Sequence, residues 1–157
     1  MALYLDLDRT DVALLRLLQN DARLSNKELA AAVGVAPSTA HERVRRLRAS
    51  GVLAGFHAEV TPHAVGVQVE ALVAVRLVRH SRAAVEAFLD HLRALPEVVA
   101  FYHLAGADDV LVHVGARDAA HLRDLALSAF TERPEVARIQ TSLVYAAHRA
   151  PAPPMFV

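Results

Sequence analysis

The chain has 157 residues and balances 17 Lys+Arg against 17 Asp+Glu, so no global field marks it for nucleic acid, membrane or an acidic partner, and charge must be read locally. With 54% hydrophobic and 22% charged residues it has ample material for a core, and its length suits one large domain or two small ones. The absence of cysteine excludes disulfides, thiol chemistry and thiolate metal sites, which fits a reducing cytosol.

The opening "MALYLDLDRTD" carries acids where a secretory signal needs a basic region followed by an apolar run. No later segment approaches the roughly 18 consecutive apolar residues of a membrane span. The expectation is a soluble, cytoplasmic protein with no membrane partner. From Thr10 to about Ser50 apolar residues recur at helical spacing, in Val12, Leu15 and Leu18, then Leu29 and Val33, then Ala40, Val44 and Leu47, and predict three short helices. "SNKE", Ser25 to Glu28, is a capping box that starts the second. Gly34 is placed to end it, and Pro37 suits the first turn of the third, where its missing N–H is not needed. Helix, tight turn and helix make the DNA-binding geometry in which the second helix of the pair enters the major groove.

On that helix Ala40, Val44 and Leu47 form the buried stripe. Ser38, Thr39, His41, Glu42, Arg45 and Arg46 are left on other faces as candidate DNA contacts: small hydroxyls close to bases or phosphates, His41 and Glu42 toward bases, and Arg45 and Arg46 toward phosphates or guanine. Arg43, Arg45, Arg46 and Arg48 against Glu42 give the helix a charge of +3. Three other readings compete. Basic helix faces are commonly just solvated; Arg43 can serve as an internal ion-pair partner for Asp11 or Asp21; and a trihelical unit can be a protein-interaction module.

"GVLAGFHAEVTPHAVG" reads as a short strand followed by a linker near Thr61 to Gly66. From Val67 the period changes to alternation, with Val67, Val69, Ala71, Val73, Val75 and Leu77 on one strand face, and the change marks a domain boundary. Next come a helix (Arg82 to Leu95, capped by Ser81 and stopped by Pro96), a strand (Val98 to Leu104), the turn "AGADD" and a strand (Val110 to Gly115). A helix (Asp118 to Thr131) and a strand (Arg138 to Tyr145) complete the order βαββαβ. "APAPPMFV" is a Pro-rich tail, expected to be extended or disordered. The chain is thus expected to be α+β, divided into 1–60 (helix-turn-helix), 61–66 (linker), 67–148 (βαββαβ unit) and 149–157 (tail). On the first strand Gln68, Glu70 and Arg76 are polar at the ends of the second face while Leu72 and Ala74 are apolar at its centre, so a second sheet can cover that centre.

From Leu7 to about Ala147 the chain resembles the Lrp/AsnC, or feast/famine, family of transcription regulators. "LDRTDVALLRLLQNDARLSNKELAAAVGVAPSTAHERVRRLRASGVLAGFHAEV" follows the family's DNA-binding half, including Asp8, Asp11, Arg23, Leu29, Ala30 and the "GVLAGF" exit. "LAGADDVLVHV" is similar to the family's glycine-aspartate turn, here Gly106 to Asp109, with Thr141 at the family's threonine in the last strand. The resemblance implies an N-terminal winged-helix-like DNA-binding domain and a C-terminal ferredoxin-like regulatory domain. It also implies a homodimer that assembles to an octamer, double-stranded DNA with an imperfect palindrome as partner, and a small-molecule effector, an amino acid in many relatives. One departure is Ala36, where many relatives have a serine cap for the recognition helix; the amides left uncapped at Ser38 and Thr39 suit a DNA phosphate.

Carried over residue by residue, the effector site is Gly106, Asp108, Asp109 and Thr141. Turn amides can hold a carboxylate, and Asp109 either holds an ammonium or caps its own turn. Asp108 matches no strong pattern, and Val110 stands where relatives often have an aromatic. His103 and His113 are placed to face each other across the hairpin, where two imidazoles can bind a metal or haem iron, but no further ligands are identifiable. Proteins of similar fold decarboxylate a haem precursor with histidine and arginine; this chain shows no such motif and no nucleophile, acid–base pair or phosphate-binding loop. No enzyme activity, catalytic residue, metal or cofactor is expected. The alternatives to a regulator are such an enzyme or a metabolite-binding scaffold that does not bind DNA.

Overall fold

A computed structural model of the chain describes residues 6–79, 81–148 and 150, so the expectation for the tail lies almost wholly outside the described residues. The described residues divide into two compact units, one running to Glu59 and including His148 and Ala150, the other lying within Val60–Ala147. Among the described residues no helix is long and apolar enough to cross a membrane.

The first unit holds α1 (Arg9–Asn20), α2 (Asn26–Val33) and α3 (Pro37–Ala49). Both α1 and α2 start on capping boxes, so four otherwise unpaired groups at the two starts satisfy each other: Asp8 with Asp11, and Ser25 with Glu28. The second box matches the sequence expectation. Gly34 closes α2 at φ 72, a left-handed conformation that costs any residue with a Cβ more than it costs glycine. Pro37 then stands in the first turn of α3, whose N-cap, Ala36, makes no side-chain bond. Leu14, Leu18, Leu29, Ala30 and Ala40 are the buried centre of the three helices, with Val33, Val35 and Val44 packed around them.

The strand expected just after α3 does not form. Gly51 and Leu53 bond back to the carbonyls of Arg48 and Leu47, and the chain runs on without strand pairing to a 3-10 turn at Pro62–Val65, closed by Gly66 at φ 88. A lone extended segment leaves every ladder group unpaired, and no neighbouring strand among the described residues accepts this one.

The second unit comprises β1 (Val69–Leu77), α4 (Arg82–Ala94), β2 (Val98–His103), β3 (Val110–Ala116), α5 (Ala119–Leu125) and β4 (Val136–Leu143). The strands form one antiparallel sheet in the order β2-β3-β1-β4. Ala71, Val73, Val75 and Leu77 are buried against Phe88 and Leu92 of α4 and against Leu122, Leu125 and Phe130, as the alternation predicts. Val67 precedes the strand instead of starting it. Its Cγ1 lies 2.9 Å from where a Cβ on Gly115 would stand, so a side chain at that position of β3 would have to push Val67 aside. The last helix also departs from expectation, since α5 loosens after Leu125 into a π turn at Ala126–Thr131. The Ser128 and Thr131 hydroxyls donate to the Asp124 and Ala126 carbonyls, at 2.8 and 3.0 Å, and compete with the regular ladder there.

Candidate nucleic-acid interface and ligand turn

Burial of Ala40 and Leu47 orients α3. Ser38, Thr39, His41, Glu42, Arg45 and Arg46 are all exposed. Asn26, at the start of α2, bonds His41 Nδ1 at 3.0 Å, which ties the two helices of the motif together at the surface. Arg45 donates to Glu42 at 2.6 Å, an exposed ion pair between residues three apart on the outer face of α3.

Arg43 and Arg46 reach instead to the start of α1. Arg43 Nη1 donates to Asp8 Oδ2 at 2.6 Å and to Asp11 Oδ1 at 2.9 Å, while Arg46 Nη2 donates to Asp11 Oδ2 at 2.5 Å. Asp11 is the buried charged residue among those described, and no buried side-chain polar atom of the described residues lacks a partner. Of the two partners weighed for Arg43, the structure selects Asp11; Asp8 is a second that the sequence reading missed. The missed signal is the i, i+3 spacing of Asp8 and Asp11, which puts both carboxylates at one helix start opposite a helix with arginines at the same spacing.

Asp8 lies below the usual carboxylate range because the Asp11 amide and the Arg43 guanidinium both favour its charged form. Glu28, bonded by the Ser25 hydroxyl and amide, and Asp118, bonded by the His121 amide, are lowered in the same way. Depressed carboxylates contribute stability that is complete above their unfolded values and is lost as pH falls through the folded ones. For these carboxylates the expected result is a denaturant midpoint that drops as pH falls below about 4, measurable by circular dichroism.

In the second unit the Gly106–Asp109 turn joins β2 to β3. The Asp109 amide donates to the Val75 carbonyl and its Oδ2 accepts from the Leu77 amide, both in β1, at 2.9 and 2.8 Å. Its carboxylate thus secures the turn to the neighbouring strand. Arg76 donates to the Ala107 carbonyl at 2.6 Å, and Arg138 of β4 stands 3.4 Å from Asp108. Thr141 is exposed and sits opposite Val73, two strand spacings from the turn and further along the sheet, on the order of 10 Å away. The structure therefore gathers Gly106, Asp108 and Asp109 but does not bring Thr141 to them within one chain.

His103 and His113 do not face each other. The register pairs His103 with Val110 and His113 with Ala100, which places the two imidazoles on opposite faces of the sheet because side chains alternate along a strand. His113 Nε2 instead meets Glu70 Oε2 at 2.6 Å, a contact 43 residues apart in the chain that no local pattern signals. Among the described residues no group of three or more His, Asp or Glu side chains is gathered to hold a metal ion.

A helix-turn-helix with an outward basic helix, followed by an antiparallel βαββαβ unit, defines a two-part transcriptional regulator. Family models agree: the "AsnC-type helix-turn-helix domain" matches residues 7–48 and the "Lrp/AsnC ligand binding domain" residues 70–151. The chain belongs to the Lrp/AsnC family of transcriptional regulators, and not to an enzyme family. It is 42% identical over 148 residues to the HTH-type transcriptional regulator AldR of Mycolicibacterium smegmatis, covering 94% of this chain and 86% of that one. The crystal structure of a Neisseria meningitidis transcriptional regulator in complex with L-Met superposes with a TM-score of 0.85 at 29% identity, over 94% of this chain and 96% of that one. Escherichia coli AsnC does so with 0.83 at 26%, over 94% and 97%.

Proposed function

We propose that the chain regulates transcription from the cytoplasm by reading double-stranded DNA with α3, using Ser38, Thr39, His41, Glu42 and Arg45, with Arg46 stabilising the helix from behind through Asp11. Residues 1–60 carry this task, 61–66 link, and 67–148 bind the effector and assemble the oligomer. The observation that carries the reading is the exposure of this run of polar side chains on a helix whose apolar residues Ala40 and Leu47 are fully buried. A homodimer supplies the second reading helix, so the site is an imperfect palindrome with half-sites about one helical turn apart.

The dimer forms through the sheet face opposite the helices, where Leu72, Ala74 and Leu111 are half-buried and Tyr102 is 55% exposed. Further assembly to an octamer brings the Gly106–Asp109 turn of one copy to the surface of another, which supplies what the distance to Thr141 denies a single chain. The effector is an amino acid, its carboxylate on the turn amides near Gly106 and its ammonium toward Asp108 and Asp109, with Thr141 bordering the site. That a Neisseria relative is known in complex with L-Met supports this class.

Fluorescence anisotropy with duplex DNA from upstream of the chain's own gene tests the reading. Binding is expected to weaken by about tenfold or more for each doubling or two of salt, since several phosphate contacts release counterions. Salt-independent binding, or none, would refute it and leave the scaffold. A thermal-shift screen of the twenty amino acids, followed by light scattering with the best hit, tests the effector and the assembly.

A further inference from the structure

The four arginines of α3 are not equivalent. Arg43 and Arg46 are occupied by Asp8 and Asp11, and Arg45 by Glu42. Arg48 has no carboxylate partner among the described residues; its guanidinium carbon lies 5.6 Å from the centroid of the Phe56 ring. Phe56 is 41% exposed, a large apolar side chain left at the surface just beyond the helix. A cation over an aromatic face keeps its charge while losing much of the rotamer freedom that an arginine otherwise gives up on binding.

Arg48 also shares a face with His41 and Arg45, at i, i+4 and i+7. All three border an open groove of about 560 Å³ whose apolar side is Val44, Leu53 and Phe56, and no acidic residue lines it. A polyanion meets there a cationic wall in which Arg45 is already paired with Glu42 and Arg48 is not. Position along the helix decides which part of the DNA this is. Arg48 lies ten residues beyond Ser38, about 15 Å along the axis, whereas the major groove is about 12 Å wide. With the start of α3 among the base edges, its last turn emerges over the sugar-phosphate backbone.

We propose that Arg48, held ready by Phe56, grips a DNA phosphate where the backbone crosses this groove. The inference rests on the DNA-binding reading and adds to it a contact that carries affinity and no sequence information. Phe56 is its positioning residue.

The test compares the full chain with Arg48→Ala, Arg48→Lys and Phe56→Leu. The probes are a labelled 30-base-pair duplex from upstream of its own gene and a random-sequence duplex of the same length. The homodimer carries Arg48 twice, so Arg48→Ala removes two phosphate contacts and is expected to weaken binding by about 25- to 100-fold on both duplexes at 0.1 M salt and to make the slope of log K against log salt shallower by about two. Arg48→Lys keeps the slope, and Phe56→Leu loses part of the affinity at unchanged slope. An unchanged slope in Arg48→Ala, whether or not affinity or melting temperature falls, overturns the proposal, as does a loss confined to one duplex. If the unaltered chain binds neither duplex in a salt-dependent way, the DNA-binding reading itself fails, and the two failures are told apart by that control.

Discussion

Asp11→Ala is expected to destabilise the three-helix unit by about 2–4 kcal/mol, a large fraction of what so small a core supplies. Asp11 is fully buried, yet both its oxygens are used: one by Arg43, the other by Arg46 and by the Asp8 amide at 3.3 Å. Truncation removes the acceptors of two guanidiniums, unmakes half of the cap on α1 and leaves a space against the helix core. The cost stays below that of a wholly buried pair because the Arg43 and Arg46 side chains are 26% and 51% exposed and rehydrate in part. Asp11→Asn keeps an acceptor but not the charge, and should lose about half as much. Amide hydrogen exchange in α1–α3 during denaturant titration measures both. A loss of under about 0.5 kcal/mol in Asp11→Ala would show that helix packing alone seats the reading helix.

Phe88→Ala is expected to cost about 3–5 kcal/mol in the second unit, the range for deleting a buried aromatic and leaving a cavity. Phe88 is fully buried, and its ring centroid lies 6.2 Å from that of His91, one turn further along α4. His91 is itself engaged with the Ala129 carbonyl at 3.0 Å and with Arg133 at 3.2 Å, so the wall around the ring is pinned and collapses poorly. Little relaxation means that most of the cavity term persists. Phe88→Leu refills much of the volume and should cost about 1–1.5 kcal/mol. Thermal unfolding followed by exchange at the amides of β1 and β3 reads the difference. Equal losses in the two variants would mean that the site closes over the void.

Much of this protein was legible in sequence because the relevant physics is local. Ser25 and Glu28 announce a helix start, Gly34 and Pro37 a tight turn, and the alternation from Val69 to Leu77 a strand with one buried face. The same local character exposes the candidate reading side chains, since the burial of Ala40 and Leu47 follows from spacing alone. A motif of short helices closed by caps is written within some forty residues.

Tertiary structure decided what depends on distance along the chain. Whether Arg43 meets Asp8, Asp11 or Asp21 is set by how α3 crosses α1, and which arginine of α3 stays available follows from that crossing. Helical spacing places arginines on faces, but only packing says which face holds a carboxylate. In the sheet a shift of one residue in the β2–β3 register reverses which side every residue takes, so the parting of His103 and His113 and the meeting of His113 with Glu70 were beyond any local pattern. The extended run after Gly51 became no strand for the same reason: caps and turns satisfy their own backbone groups, whereas a strand exists only through a neighbour.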